Sequence, residues 1–144
     1  MRRIFVVAAL AALIMSCSQQ APKVEHLRVE GTALMNESGD TVELKGMSFG
    51  WNVLWPRFYN AQAVKHVVKD WDAELVRAAI GVEIDDDECQ VENYLKNPEF
   101  GKQCACTIVD AAIENGVYVL VDWHAHGLHT EAAVEFFTYM ATKY

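Results

Sequence analysis

Val117-Tyr118-Val119-Leu120-Val121-Asp122-Trp123-His124-Ala125-His126 decides the fold of this chain. Five apolar residues run from 117 to 121 with no polar interruption. Such a run predicts a strand buried on both faces, the habit of parallel sheets covered by helices. Working outward, Asn115-Gly116 is a helix stop, and Pro98 suits a first helical turn, so 98–115 reads as the preceding helix. On the other side, Ala133, Val134, Phe137 and Met140 share one side of a helix over 130–143, with Thr130 as its cap. Upstream, 75–82 is a short apolar strand interrupted by Arg77. Ala63, Val64, Val67, Val68 and Trp71 give helical spacing over 60–71, with Asn60 as N-cap. A first strand falls at 44–48. Before it, the turn chemistry of Asn36-Glu37-Ser38-Gly39-Asp40 predicts a small β-hairpin.

Strand and helix thus alternate three times, which favours a parallel sheet. An open doubly wound sheet and a (β/α)8 barrel both fit that order. No Gly-rich phosphate loop follows the first strand, which removes the usual dinucleotide-binding reading. Polar and aromatic residues collect at the C-terminal ends of all three strands, where barrel sites are built. The expected fold is therefore α/β: the N-terminal portion, about three βα units, of a (β/α)8 barrel preceded by a hairpin. A whole barrel takes roughly 250 residues. The 144 residues here are accordingly expected to be a piece of one, with open sheet edges.

Arg2 and Arg3 precede a twelve-residue apolar run, Ile4 to Met15, which is too short to span a bilayer comfortably. Ser16-Cys17 follows at once and resembles a bacterial lipoprotein cleavage site. The expected organisation is a leader over 1–16, a lipidated Cys17, a polar tether over 17–26 and a barrel portion over 27–144. That places the protein outside the cytoplasm, on the cell envelope or beyond it, with the membrane as partner through the Cys17 lipid. A formal net charge of −8 argues against a nucleic-acid partner. Cys89, Cys104 and Cys106 show no metal-binding spacing. A Cys89–Cys104 bridge is open to them in an oxidising compartment, but buried thiols are the expectation.

Arg77 is the first oddity, because a guanidinium within an apolar strand must be paired. Inside a barrel it would point to the centre and meet acidic groups. The Asp122–His126 segment is the second, since it stands at a strand's C-terminal mouth. His124 there is fit to donate to a substrate hydroxyl or to hold a carboxylate, while His126 and His129 also read as surface histidines. A His124/His126 pair is also a candidate metal site, as in metal-dependent barrel hydrolases, although in those the pair normally lies on the first strand. Trp51, Trp55, Phe58 and Tyr59 form an aromatic loop whose flat faces suit sugar rings or, equally, plug the fold. Asp85-Asp86-Asp87-Glu88 reads as a solvated acidic loop.

In order and spacing, Leu44-Lys45-Gly46-Met47-Ser48, Asp70-Trp71, Val76-Arg77-Ala78-Ala79, Asp110 to Val119 and Val121-Asp122-Trp123-His124 resemble bacterial endo-β-1,4-glucanases of glycoside hydrolase family 5. Glu131 to Phe137 and Met140 to Tyr144 look like the third helix of those enzymes. The resemblance runs from about residue 27 to the end. It implies a (β/α)8 barrel, a β-glucan substrate, retaining hydrolysis and no cofactor. It assigns supporting roles to Arg77, beside the nucleophile, and to His124, at the cleavage subsite. Trp51, Trp55 and His126 become substrate-binding candidates. The acid/base glutamate of the family lies in an Asn-Glu-Pro segment after the fourth strand, and the nucleophile glutamate follows the seventh. Neither segment occurs here, so the 144 residues alone are expected to be inactive. Two departures bear on sugar contacts: Asn52, Val53 and Leu54 separate the tryptophans where the family often has a histidine, and Gly81 stands where it has a tyrosine.

Overall fold

A computed structural model describes residues 24–144, so the leader and Cys17 lie outside the described residues. A hairpin of β1 (Arg28–Glu30) and β2 (Ala33–Met35) precedes the main sheet. Then come β3 (Gly46–Trp51), a 3-10 turn over Pro56–Phe58, α1 (Ala61–Asp70), β4 (Leu75–Gly81), α2 (Pro98–Asn115), β5 (Tyr118–His124) and α3 (Thr130–Lys143). The sheet is parallel in the order β3-β4-β5.

Local chemistry accounts for most boundaries. The Asn60 side chain accepts from the Ala63 N–H at 2.9 Å and starts α1. Asn97 accepts from the Phe100 N–H at 3.1 Å, and Pro98 opens α2 without losing a needed donor. Gly116 closes α2 at φ 69°, a left-handed conformation that costs an L side chain about 1 kcal/mol.

Four expectations need correction. The hairpin arms pair through Gly31-Thr32, and the 36–40 turn closes only a single bridge, Met35 to Thr41. The first sheet strand starts two residues later than 44 and runs on to Trp51, with an irregularity between Ser48 and Trp51. Thr130 is the first residue of α3 and not its cap. His129 holds that place at φ 40° without a side-chain cap bond. Finally, β5 spans 118–124, and it is only half-buried: Leu120 is 46% exposed.

Alternation along the strands sorts the two faces. Val76, Ala78 and Ile80 of β4, with Val119, Val121 and Trp123 of β5, face the helices and form the core with Val64, Val67, Ala105, Ile108 and Ala112. Arg77 and Ala79 of β4, and Leu120, Asp122 and His124 of β5, take the opposite face. Between α2 and α3, Phe136 is fully buried, with its ring centroid 5.4 Å from Tyr94 and 5.3 Å from Trp123. Lys102 is buried in the same seam and pairs with Glu135 at 2.5 Å. Cys104 and Cys106 are buried on α2 and Cys89 is half-buried. All three are free thiols, with no Cys89–Cys104 bridge. Burial pushes the Cys104 thiol to about 11, against a contact with the Asn52 side chain that works the other way.

Candidate functional site

The sheet register builds the site. Arg77 pairs with Ser48 on one side and Leu120 on the other, while Asp122 sits beside Ala79 and His124 beside Gly81. Side chains on the face opposite the helices therefore meet near the C-terminal ends of the strands. Arg77 Nη1 donates to Ser48 Oγ at 3.1 Å, and Nη2 donates to Asp122 Oδ2 at 2.5 Å. The same Asp122 oxygen lies 2.8 Å from His124 Nδ1, and Arg77 Nη2 lies 3.1 Å from that nitrogen. Arg77, Asp122 and His124 are each partly exposed, so the cluster is open to a ligand. The expectation that Arg77 would meet an acidic group on the interior face is matched by Asp122.

Trp51 covers this cluster. Its ring centroid is 4.3 Å from that of His124 and 5.9 Å from that of His126. Trp55 goes elsewhere. It stacks near Phe58, with the Arg57 guanidinium 4.9 Å from its ring, and lines an apolar groove with Met47 and Trp71 beside β3 and α1. The Leu54 and Trp55 N–H groups close a turn on the Trp51 carbonyl between the two tryptophans, and Gly50, at φ 70°, leaves room for the Trp55 ring against its backbone. Tyr59 secures the turn: its buried hydroxyl reaches the carbonyls of Gly50 at 2.7 Å and Ala79 at 2.8 Å, and burial raises its pKa.

Glu83, which no sequence motif marked, organises the loop after β5. Its Oε1 accepts from the His126 N–H and, at 2.9 Å, from the Gly127 N–H. Its Oε2 lies 3.5 Å from His129 Nε2. Burial works to raise the Glu83 pKa, but the N–H groups of His126, Gly127 and Glu83 itself, with nearby His129, together hold the carboxyl below the usual range. His126 itself is largely exposed, with Nδ1 3.8 Å from Glu83. Among the described residues, no group of three His, Cys, Asp or Glu gathers as metal ligands would. The acidic loop is partnered internally: Asp85 pairs with Lys96 at 2.5 Å, and Asp86 accepts from the Glu88 N–H at 3.0 Å.

Asn52 explains what glycine does at 81. The buried Asn52 side chain accepts from the Gly81 N–H at 2.8 Å, while its own N–H donates to the Ala79 carbonyl at 3.0 Å. A Cβ on Gly81 would stand 2.9 Å from Val53 Cγ2. The Asn52-Val53 segment thus packs directly on β4, in space that a larger residue at 81 would take.

An arginine and a histidine are thus joined through an aspartate, beneath a tryptophan, at the C-terminal ends of parallel strands. Residues 35–144 match the model of the cellulase family, glycosyl hydrolase family 5, and the chain belongs to that family. It is 33% identical to Endoglucanase Z of Dickeya dadantii over 99% of its own length and 34% of the relative's. A solved structure from Cytophaga hutchinsonii is 41% identical and superposes with a TM-score of 0.74, covering 82% of this chain and 37% of that one. The catalytic domain of a Thermobifida fusca endoglucanase superposes with a TM-score of 0.69 at 27% identity, over 81% of this chain and 38% of that one. The chain therefore spans about a third of the Dickeya relative. Its fold is part of a (β/α)8 barrel, one of the two architectures that its strand–helix order left open.

Proposed function

We propose that this chain supplies part of the substrate site of an endo-acting cellulase, an enzyme that cleaves internal β-1,4-glucan bonds with retention. The observation that carries the proposal is the joined cluster of Arg77, Asp122 and His124 under Trp51. A retaining glycosidase sets two carboxyl groups about 5 Å apart across the scissile bond. In this reading Arg77 supports the nucleophile carboxylate, which needs a fixed positive neighbour to stay ionised. His124 meets a hydroxyl of the sugar at the cleavage point, and Trp51 offers an apolar face to a ring. His126, held by Glu83, extends that shelf. Trp55 lies outside it and fits the groove better than the sugar site.

Asp122 and Glu83 already hold other groups through one carboxylate oxygen each. Asp122 holds Arg77 and His124, and Glu83 holds backbone N–H groups. In this reading neither acts as nucleophile or acid. Residues 1–144 on their own are thus proposed to hold glucan without cutting it. Arg2, Arg3, the apolar run 4–15 and Ser16-Cys17 support export, with a leader over 1–16, a lipid on Cys17 and a tether to residue 26. A metal-dependent hydrolase on His124 and His126 has less support, because among the described residues no group of three His, Cys, Asp or Glu gathers as metal ligands would.

The test is a chimera in which residues 35–144 replace the matching part of Endoglucanase Z. It is expected to release reducing sugar from carboxymethylcellulose, with the β-anomer formed first and no loss on adding chelator. Arg77→Ala or His124→Ala should lower kcat/KM at least tenfold. A folded chimera that binds cellotetraose without cleaving it, or one whose product is inverted, would overturn the reading.

A further inference from the structure

His124 Nδ1 has two neighbours that make incompatible demands. Arg77 only donates hydrogen bonds, so its Nη2, 3.1 Å away, bonds to Nδ1 only when that nitrogen carries no proton. The Asp122 carboxylate only accepts, so its Oδ2, 2.8 Å away, bonds to Nδ1 only when that nitrogen does carry one. In a neutral imidazole one arrangement excludes the other. The carboxylate contact is the shorter. Arg77 Nη2 also has a better use for its proton, at 2.5 Å on the same Asp122 oxygen.

We infer that Asp122 is a positioning residue that fixes the tautomer of His124: the proton sits on Nδ1, and Nε2 is left as a bare acceptor for a substrate hydroxyl. Nε2 has no hydrogen-bond partner among the described residues, and the ring is held by Trp51. A histidine set this way receives a hydroxyl proton and does not donate one, which reverses one of the roles its residue type allowed. Asp122 simultaneously keeps Arg77 pointing along the strand ends. The hydroxyl is assigned to a glucan only through the function proposed above, whereas the tautomer is a property of this chain alone.

The experiment is the ¹⁵N spectrum of the His124 ring in the full chain at about pH 8, with the ring neutral. In the unmodified protein Nδ1 should show the shift of a protonated nitrogen and Nε2 that of a bare one. In Asp122→Ala the pattern should reverse, because Arg77 Nη2 is then free to donate to Nδ1. Asp122→Asn should restore it, because the amide oxygen accepts from both donors. Cellotetraose affinity should fall about tenfold in Asp122→Ala and stay within about threefold in Asp122→Asn. A ring proton on Nε2 in the unmodified protein overturns the inference, and that spectrum decides even where the alanine variant fails to fold. So does an alanine variant that keeps the proton on Nδ1. Tautomers as expected in a protein that does not bind cellotetraose would support Asp122's role and overturn the glucan reading instead.

Discussion

The Arg77 guanidinium donates to Asp122 Oδ2 at 2.5 Å across adjacent strands, from a position beside Leu120 to one beside Ala79. Each group is the other's main compensation for leaving water. Arg77→Ala should destabilise the fold by about 1–3 kcal/mol, since it leaves the partly exposed Asp122 carboxylate with His124 as its remaining side-chain partner. Asp122→Ala added to it should cost less than the sum of the single changes. A double-mutant cycle in urea checks this, and strictly additive losses would contradict the pairing.

Glu83 gives the fold a pH dependence. Its folded pKa lies below the unfolded value, so its contribution is full above the unfolded range of about 4.3. That contribution is lost as pH falls through the folded value. Glu83→Gln should remove this part of the acid sensitivity and cost about 1 kcal/mol at pH 7. Amide exchange at His126 and Gly127 should quicken in the same variant. Unchanged exchange there would separate Glu83 from the loop it contacts.

Gly81 is fixed by packing and not by backbone conformation. Gly81→Ala places a Cβ 2.9 Å from a Val53 methyl that is fully buried, beside the Asn52 bond. A loss of about 1–3 kcal/mol is expected. Gly81→Ala with Val53→Ala should recover part of it. Thermal unfolding of the three variants measures the coupling.

Phe136 is the anchor of α3. Truncating it to alanine should cost about 3–5 kcal/mol, because its ring fills the seam between Tyr94 and Trp123. A smaller loss, measured by urea denaturation, would mean that α3 collapses into the gap.

Local signals carried the helices. The bounds of α2 follow from Pro98, the Asn97 cap and Gly116, and α3 occupies the expected 130–143, but its buried residues are Phe136 and Met140 while Val134 and Phe137 of the expected apolar side are exposed. Arg77 and His124 were visible because polar residues in or after apolar strands demand partners. The remainder depended on register. Glu83 acts on residues 43 and 44 positions away, so no spacing in the sequence marks it. Asp122 stood within the quoted motif, yet its hold on Arg77 needed the β4–β5 alignment. The separation of Trp55 from Trp51 arises in the turn closed on the Trp51 carbonyl, and the Trp55 ring settles against Gly50, whose positive φ is not signalled by its neighbours. The hairpin misled because Asn36–Asp40 has strong turn chemistry, while the paired arms turn earlier, at Gly31.

The central claim is that the face carrying Arg77, Asp122 and His124 receives a β-1,4-glucan. Titration of cellotetraose into the full chain, followed through the Trp51 indole and His124 ring resonances, tests it most directly. The account predicts saturable shifts centred on Trp51, Arg77 and His124, abolished by Trp51→Ala and absent with a maltotetraose control. Shifts confined to the groove around Trp55 and Trp71, or none at saturating sugar in a folded chain, would contradict it.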